Sequence, residues 1–209
     1  MSHESVLLKE VISYFQIKRG GLYVDATFGL GGHSREILKQ GGRVLGIEWD
    51  EDLYKKAKIK YQDFLEKSLL LINKNFSQIE SITKEYSFYP VDGILFDLGI
   101  SMEQIEKSRR GFSFKKLDEP LDLRINSRIK TKAADYLNHL PKEKLYQIFA
   151  KNTEITNFKL LVDEIVRRRR VNPIEKVADL ISIIDNKIKK KRRKNIPTDM
   201  AGFENFSQW

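Results

Sequence analysis

The stretch at residues 22–35, L-Y-V-D-A-T-F-G-L-G-G-H-S-R, carries the strongest fold signal in the sequence. It begins as a short apolar run typical of a buried parallel strand, passes an acid at Asp25, and turns through three glycines toward a helix opening near His33 and Ser34. Glycines let the main chain approach a ligand closely, and a helix start presents unpaired N–H groups. The stretch therefore indicates a nucleotide-cofactor turn, although such turns also occur for packing reasons.

A second buried strand follows at residues 43–50, R-V-L-G-I-E-W-D, and ends in acids. Glu48 lies 17 positions after Gly31, about where an adjacent strand presents a carboxylate to ribose hydroxyls. The alternative is a surface acid that merely follows a strand. Together the two strands favour a cofactor site over a packing turn.

Further strands are expected at residues 69–73 and 91–97, because both runs are short and apolar. Helical patterns separate the strands, at residues 6–15, 50–67 and 77–86. Alternation of this kind is typical of a doubly wound α/β fold, whose ligand crevice lies at the carboxyl ends of the strands. We expect Gly31, Glu48, Phe76 and Asp97 to converge there; Phe76 either stacks on a flat ring or belongs to the core.

Length and composition exclude several classes of protein. The 209 residues suit one domain, or one domain with an insertion, and contain no cysteine for disulfides or thiolate zinc sites. The three histidines, His3, His33 and His139, are too far apart in sequence to form a local metal-ligand cluster. No apolar run approaches the ~20 residues of a membrane span, and no signal-peptide pattern begins the chain, so a cytoplasmic location is expected.

The positive charge is concentrated in the second part of the chain. Residues 1–126 hold 19 Lys and Arg against 19 Asp and Glu, whereas residues 127–209 hold 19 against 10. The densest basic runs are residues 167–170 and 189–194. This distribution predicts a polyanion partner, because each neutralised phosphate releases condensed counterions; the alternative is a solvated helix face.

The pattern changes after Leu98. Residues 101–126 have mixed polarity and predict a long ordered loop, and loops of that length are often functional. Helices are then expected at residues 133–137, 142–149, 158–169 and 174–188, with Pro141 and Pro173 at helix starts. We expect a core at residues 1–105, a loop with a basic helical insertion at residues 106–194, and an aberrant or disordered tail at residues 195–209.

The first turn, D-A-T-F-G-L-G-G, departs from a strict G-x-G-x-x-G and is similar to the S-adenosylmethionine pattern. Over about residues 3–190 the sequence resembles the MraW/RsmH family, which methylates the exocyclic N4 of a cytosine in small-subunit ribosomal RNA. The motifs that carry the resemblance are His3 with V-L-L-K-E-V, Y-V-D-A-T-F-G-L-G-G-H-S, G-I-E-W-D, N-F-S, V-D-G-I-L-F-D-L-G-I-S, and R-G-F-S-F followed by P-L-D-L-R.

The resemblance implies a Rossmann-like, S-adenosylmethionine-dependent methyltransferase core with an inserted all-helical subdomain. By position it implies a cofactor turn at Gly31, Gly32 and His33, a ribose acid at Glu48, and an adenine neighbour at Phe76. It also implies further cofactor contacts from Asp97 and Gln104. The family more often has Asp where this chain has Glu48. The implied substrate is 16S ribosomal RNA, free or in the assembled small subunit; the sequence does not determine the oligomeric state.

Cytosine methylation needs help at the amine, whose lone pair is delocalised into the ring. An acceptor for its N–H, with the methyl group in line, would supply that help. Asp97 is the candidate catalytic residue; the alternative is an acid that only holds the cofactor. The loop bearing Phe112, Phe114, Asp122 and Arg124 either receives a base lifted from its stack or is a lid packed by its own aromatics.

The chain departs from the family pattern toward its end. The family segment Y-G-E-E-R is replaced by residues 150–154, A-K-N-T-E, and nothing after Lys194 resembles the remaining core strands. A frameshift just before Met200, testable on the DNA, is one hypothesis.

A truncated chain would have a sheet limited to strands 3-2-1-4. Ile94, Leu95 and Phe96 would then lie on an uncovered edge, which predicts poor solubility. The alternatives to methylation of ribosomal RNA are an inactive fragment that retains cofactor or RNA binding, and a methyltransferase acting on DNA or protein.

Overall fold

The computed structural model describes residues 5–152 and 158–185. The chain divides into two compact units, Met1–Gly99 and Ile100–Trp209. The core boundary expected at residue 105 stays a prediction, as do the insertion and the tail. His3, the basic run at residues 189–194, the tail at residues 195–209 and the frameshift position before Met200 lie outside the described residues.

The first unit is built on a parallel sheet of four short strands. They are β1 (Leu22–Asp25), β2 (Arg43–Ile47), β3 (Leu69–Ile72) and β4 (Gly93–Leu95). Their order is β3-β2-β1-β4, and all three pairings are parallel. The α/β fold class and the 3-2-1-4 strand order predicted from the sequence are confirmed.

Helices connect these strands and cover both faces of the sheet. They are α1 (Leu8–Phe15), α2 (Gly32–Lys39), α3 (Glu51–Lys60) and α4 (Ile79–Glu85), the last preceded by a 3-10 turn at Phe76–Gln78. Successive strand residues point to opposite faces, so Tyr23 and Val24 enter separate hydrophobic clusters. The apolar runs are continuous because these strands are covered on both sides.

Helix α3 is shorter than the sequence pattern predicted. The expected helix at residues 50–67 begins at Glu51, because the Asp50 carboxylate accepts hydrogen bonds from the N–H groups of Asp52 and Leu53. It ends at Lys60, and the following residues form a turn in which the N–H groups of Ser68 and Leu69 bond to the Phe64 carbonyl. Local backbone bonding therefore overrides the helical spacing there.

The described part of the second unit consists of helices and irregular segments. The helices are α5 (Met102–Lys107), α6 (Ala133–His139), α7 (Lys142–Asn152), α8 (Phe158–Arg168) and α9 (Val177–Ile184). The loop expected at residues 101–126 contains α5, because Ser101 and Gln104 form a capping box. Helix α9 begins three residues later than expected, because Pro120 and Lys176 form an isolated antiparallel bridge just before it.

No helix in the described ranges is long and apolar enough to cross a membrane. Within the same ranges, no group of three or more His, Asp or Glu side chains could hold a metal ion.

Candidate functional site

The carboxyl ends of the central strands lie side by side at one edge of the sheet. Asp25, the last residue of β1, is in register with Gly46 of β2 on one side and with Leu95 of β4 on the other. The strand order reverses between β1 and β4, and in open parallel α/β sheets this is the point at which a ligand crevice is expected. Gly31, Glu48, Phe76 and Asp97 all follow strand ends at this edge.

The glycine turn after β1 is held by hydrogen bonds from distant residues. The Gly29 N–H donates to Glu48 Oε2 at 2.7 Å. The Tyr61 hydroxyl donates to the Gly31 carbonyl at 2.6 Å, and Lys60 Nζ donates to the Leu30 carbonyl at 2.7 Å. The carbonyl groups of Leu30 and Gly31 thus accept hydrogen bonds from residues at the end of α3, which fixes the path of this part of the turn.

Gly29 and Gly31 are glycines for different structural reasons. A Cβ at Gly31 would lie 2.7 Å from the Phe28 ring and 2.8 Å from the Tyr61 ring, which pack edge to face. A Cβ at Gly29 would have no atom closer than 3.9 Å, so this glycine borders open space. Gly31 is therefore required for packing, whereas the backbone at Gly29 remains approachable by a ligand.

The Glu48 carboxylate links the ends of β1 and β2. Its Oε1 accepts the Asp50 N–H at 2.7 Å, while Oε2 accepts the Gly29 N–H. The side chain is only 8% exposed, and this burial raises the pKa of Glu48 to about 7 against the opposing effect of the two N–H donors. Each carboxylate oxygen keeps a second lone pair, so the acid retains acceptor capacity for a ribose hydroxyl.

Asp25 and Thr27 connect β1 to its neighbours. The Ser34 hydroxyl donates to Asp25 Oδ2 at 2.6 Å, which ties the end of β1 to the first turn of α2. Burial raises the pKa of Asp25, and the bond from Ser34 opposes that rise. Thr27 Oγ1 accepts the Asp97 N–H at 2.8 Å, so the chain after β4 is fixed beside the chain after β1.

Phe76 lies in the 3-10 turn after β3 and is not a core residue. Its side chain is 36% exposed and packs edge to face against Phe96, which is 47% exposed, with ring centroids 5.7 Å apart. The Asp97 side chain next to Phe96 is exposed. These residues present two aromatic rings and a carboxylate to solvent at the edge of the sheet where strands end.

His33 lies in the first turn of α2 and is buried. Its Nε2 lies 2.9 Å from the Val6 carbonyl. Because a carbonyl oxygen only accepts, this nitrogen must carry the hydrogen. The side chain is thus directed at the segment before α1; its predicted contact with the cofactor, like those of Gly31 and Gly32, stays a prediction.

Gln104, the remaining residue implied in the cofactor site, belongs to the second unit. It is buried, and its Oε1 accepts the Ser101 N–H at 3.0 Å within the capping box of α5. Helix capping is therefore a sufficient structural reason for a glutamine at position 104. A role in the cofactor site stays a prediction.

The loop around Phe112 packs its aromatic side chains into the core of the second unit. Phe112 is buried in the core of the second unit, and Phe114 packs against that core. Arg124 forms a two-pronged ion pair with Asp122, with Nε 2.6 Å from Oδ1 and Nη2 2.7 Å from Oδ2. Burial raises the pKa of Asp122, but the hydrogen bonds from Arg124 outweigh it and leave this pKa below its usual range. These contacts favour the packed lid over the pocket for a lifted base.

The basic run at residues 167–170 is not uniform. Arg167 is paired with Glu164, and Arg169 Nη1 donates to the carbonyls of Leu137 and Leu140 at 2.7 and 2.8 Å. Arg168 is half-buried and Arg170 is exposed; no ion pair of either is found among the described residues. Only part of this run is therefore available to a polyanion.

Sequence reasoning missed the supports of the site. The role of Thr27 could have been predicted, because its hydroxyl follows the acid at the end of the first strand by two residues and therefore lies near the strand ends. The roles of Lys60 and Tyr61 could not have been predicted, because their hydrogen bonds to the turn join residues about 30 positions apart. Contacts of that range depend on how α3 packs, which local patterns do not encode.

The fold and the site together define a parallel α/β protein with a glycine turn after the first strand, an acid after the second strand and aromatic rings at the strand ends. The model of the MraW methylase family matches residues 1–201, and the chain belongs to this family. The resemblance predicted from the sequence motifs is thus confirmed.

Two curated relatives are each named ribosomal RNA small subunit methyltransferase H. That of Dictyoglomus thermophilum is 40% identical over 194 residues, which cover 91% of this chain and 65% of the relative. That of Clostridium botulinum is 40% identical over 192 residues, covering 90% and 61%. The chain therefore spans less than two thirds of the length of these relatives.

Among solved structures, an S-adenosylhomocysteine complex of a SAM-dependent methyltransferase from Thiobacillus denitrificans is 14% identical. The match covers 88% of this chain and 86% of that one, with a TM-score of 0.32.

Proposed function

We propose that this chain belongs to a cytoplasmic enzyme that transfers a methyl group from S-adenosylmethionine to the exocyclic N4 of a cytosine in small-subunit (16S) ribosomal RNA. The observation that carries the proposal is the convergence of the Gly29 turn, Glu48, Phe76 and Asp97 at the strand ends of a 3-2-1-4 parallel sheet. Membership of the MraW methylase family supports the same reaction.

The residues present fit the proposed cofactor. Gly29 borders open space, each Glu48 oxygen keeps a second lone pair, and the Phe76 ring is partly exposed. Glu48 would accept the ribose hydroxyls and Phe76 would pack on the adenine. When bound, S-adenosylmethionine supplies an electrophilic methyl group on a sulfonium sulfur.

Asp97 is the proposed catalytic residue. Its backbone is fixed by the bond to Thr27 while its carboxylate is exposed, so the acid stands at the crevice without an internal partner that holds its oxygens among the described contacts. A carboxylate there accepts an N–H of the cytosine amine, which releases the nitrogen lone pair from the ring as the nitrogen pyramidalises. The alternative role, holding the cofactor alone, is separated from this one by kinetics.

RNA is the proposed partner of the basic second part of the chain. Arg168 and Arg170 carry charge at the end of α8 that is not used by the ion pairs found in the described residues. The run at residues 189–194 adds six further basic residues in sequence. Phosphate contacts of this kind position RNA and weaken as salt is raised.

The direct test is transfer of labelled methyl groups to small ribosomal subunits that lack the modification, catalysed by the 209-residue chain beside a longer relative. Label in one cytosine N4 supports the proposal. Label on DNA or protein instead contradicts it. Cofactor and RNA binding without label would identify the chain as a binding fragment of the enzyme.

The Asp97→Asn variant tests the catalytic role. We expect turnover to fall about 100-fold while the affinity for S-adenosylhomocysteine stays within about threefold. Asp63→Asn, which changes an exposed acid in the same unit, serves as the control and should leave both unchanged. Equal losses of turnover and affinity in Asp97→Asn would assign Asp97 to cofactor binding alone.

A further inference from the structure

The segment before α1, residues 5–7, lies against the glycine turn. A Cβ built on Gly32 would be 1.8 Å from Ser5 Oγ and 3.2 Å from Ser5 Cβ. Gly32 thus makes room for the chain's own Ser5. Because Gly32 begins α2 directly after the turn, this segment lies beside the turn at which the cofactor is proposed to bind.

His33 holds the segment in this place. The Nε2–H donates to the Val6 carbonyl across 27 positions of sequence, and the imidazole is buried. On its other side the segment continues into α1, where the Leu7 carbonyl accepts the Val11 N–H at 2.9 Å. The segment is therefore fixed at both ends.

Two features of the segment have no explanation in the packing of the first unit. The side chains of Val6 and Leu7 are 64% and 63% exposed although the backbone between them is fixed. Leu7 also has a left-handed backbone, with φ of 50°, which is strained for a branched residue. Backbone strain that the surrounding structure maintains is concentrated at active sites and ligand-binding segments.

We propose that residues 5–7 form a wall of the cofactor site and that His33 is the positioning residue that holds this wall against the glycine turn. The inference rests on the proposed function. Under the proposed function Glu48 and Phe76 would contact the ribose and the adenine. The remaining part of S-adenosylmethionine is its amino-acid arm, whose methylene groups apolar Val6 and Leu7 would contact.

The contact of His33 is tested by His33→Phe, which fills the ring volume without a donor, and His33→Gln, whose amide can donate. In His33→Phe we expect faster hydrogen exchange in the N-terminal peptide without ligand, and affinity for S-adenosylhomocysteine about tenfold weaker by calorimetry. His33→Gln should restore most of both. His139→Phe, at an exposed histidine, is the matched control and should change neither.

The wall itself is tested by Leu7→Gly against Gln16→Gly. Both residues have left-handed backbones, at the two ends of α1, so glycine relieves the same strain at each. We expect neither variant to lower the melting temperature by more than about 2 °C. Only Leu7→Gly should weaken binding, by about tenfold.

Unchanged affinity in Leu7→Gly, or equal losses in Leu7→Gly and Gln16→Gly, would overturn the proposal. So would His33→Phe with wild-type exchange and affinity. Failure of the proposed function is distinguishable: a wild-type chain that binds neither S-adenosylmethionine nor S-adenosylhomocysteine would remove the cofactor role, whereas exchange in the ligand-free variants would still report the His33–Val6 contact.

Discussion

Gly31, in the glycine turn, and Gly20, before β1, both have a left-handed backbone but differ in how closely other atoms surround them. Gly31 has φ of 70° and would place a Cβ against the Phe28 and Tyr61 rings, whereas Gly20 has φ of 78° with no atom within 4 Å. The two positions therefore share the backbone cost of a non-glycine residue and differ only in the space available.

The first prediction compares Gly31→Ala with Gly20→Ala. We expect Gly20→Ala to lower the free energy of unfolding by about 1 kcal/mol, the cost of a left-handed non-glycine residue. Gly31→Ala should lose about 1–3 kcal/mol more, because the aromatic pair must move. Urea denaturation measures both; equal losses would show that the rings adjust without cost.

The second prediction concerns the pH dependence of stability at Glu48. Burial raises the pKa of Glu48 from 4.5 to about 7 in the folded chain. The folded state therefore binds a proton more tightly than the unfolded state does. Its stabilising contribution is complete below pH 4.5 and is lost as pH rises through about 7, a change on the order of 3 kcal/mol.

Glu48→Gln removes this titration. The free energy of unfolding of the wild type, relative to Glu48→Gln, should fall between pH 5 and pH 8. A constant offset is also expected, because a Gln side chain has one oxygen for the N–H groups of Gly29 and Asp50. Asp25, whose pKa burial also raises, is present in both chains, and its coulombic effect on Glu48 is smaller than that of burial, so the difference between the two chains reports mainly on Glu48. Parallel stability curves would contradict a raised pKa at Glu48.

At the scale of elements, two adjacent arginines directly after α8 have different surroundings, one structural and one facing solvent. Arg169 follows α8 and donates to the carbonyls of Leu137 and Leu140 at the end of α6, so it satisfies acceptors that the helix leaves open. Arg170 is exposed. Arg169 therefore contributes hydrogen bonds to the fold, whereas the charge of the adjacent Arg170 faces solvent.

The third prediction uses this pair. Arg169→Ala should lower the free energy of unfolding by about 1–3 kcal/mol, because two hydrogen bonds from a charged group are lost. Arg170→Ala should leave stability unchanged and reduce the salt dependence of RNA binding by roughly one phosphate contact. Thermal unfolding and filter binding at several salt concentrations separate the two. A stability loss in Arg170→Ala would contradict this division of roles.

At the scale of the whole molecule, β4 is the edge strand of the described sheet and exposes apolar side chains. Ile94 and Phe96 are exposed as expected, and so is Leu98, whereas Leu95, also expected on this edge, is buried. No strand pairs with the outer side of β4 among residues 5–152 and 158–185. Open edges with apolar side chains pair readily with other chains. The fourth prediction is that the 209-residue chain self-associates through this edge.

Ile94→Lys tests the edge, because a charge there opposes strand pairing. We expect it to shift the sedimentation distribution of the concentrated protein toward the monomer. Ile59→Lys, at an exposed isoleucine of α3, is the control and should leave the distribution unchanged. A wild-type chain that is already monomeric at high concentration would contradict the prediction.

Local pattern determined a large part of this fold. Short apolar runs separated by helical periodicity predicted four parallel strands in the order 3-2-1-4, and the strand ends predicted where Glu48, Phe76 and Asp97 stand. This works because parallel strands bring their carboxyl ends to one edge whatever the loops between them contain. The same reasoning missed α5, whose capping box lies inside a stretch of mixed polarity.

By itself, the sequence determined the class of fold, the family motifs and the strand-end positions of the candidate site. Only the tertiary structure decided what individual residues contact. Gly31 lies against aromatic rings and Gly32 against Ser5. His33 donates a hydrogen bond to the Val6 carbonyl, and Arg169 donates to carbonyls at the end of α6. The physical reason is range. Periodicity and turn chemistry act within a few residues, whereas these contacts join groups that are brought together only when helices pack on the sheet or on one another.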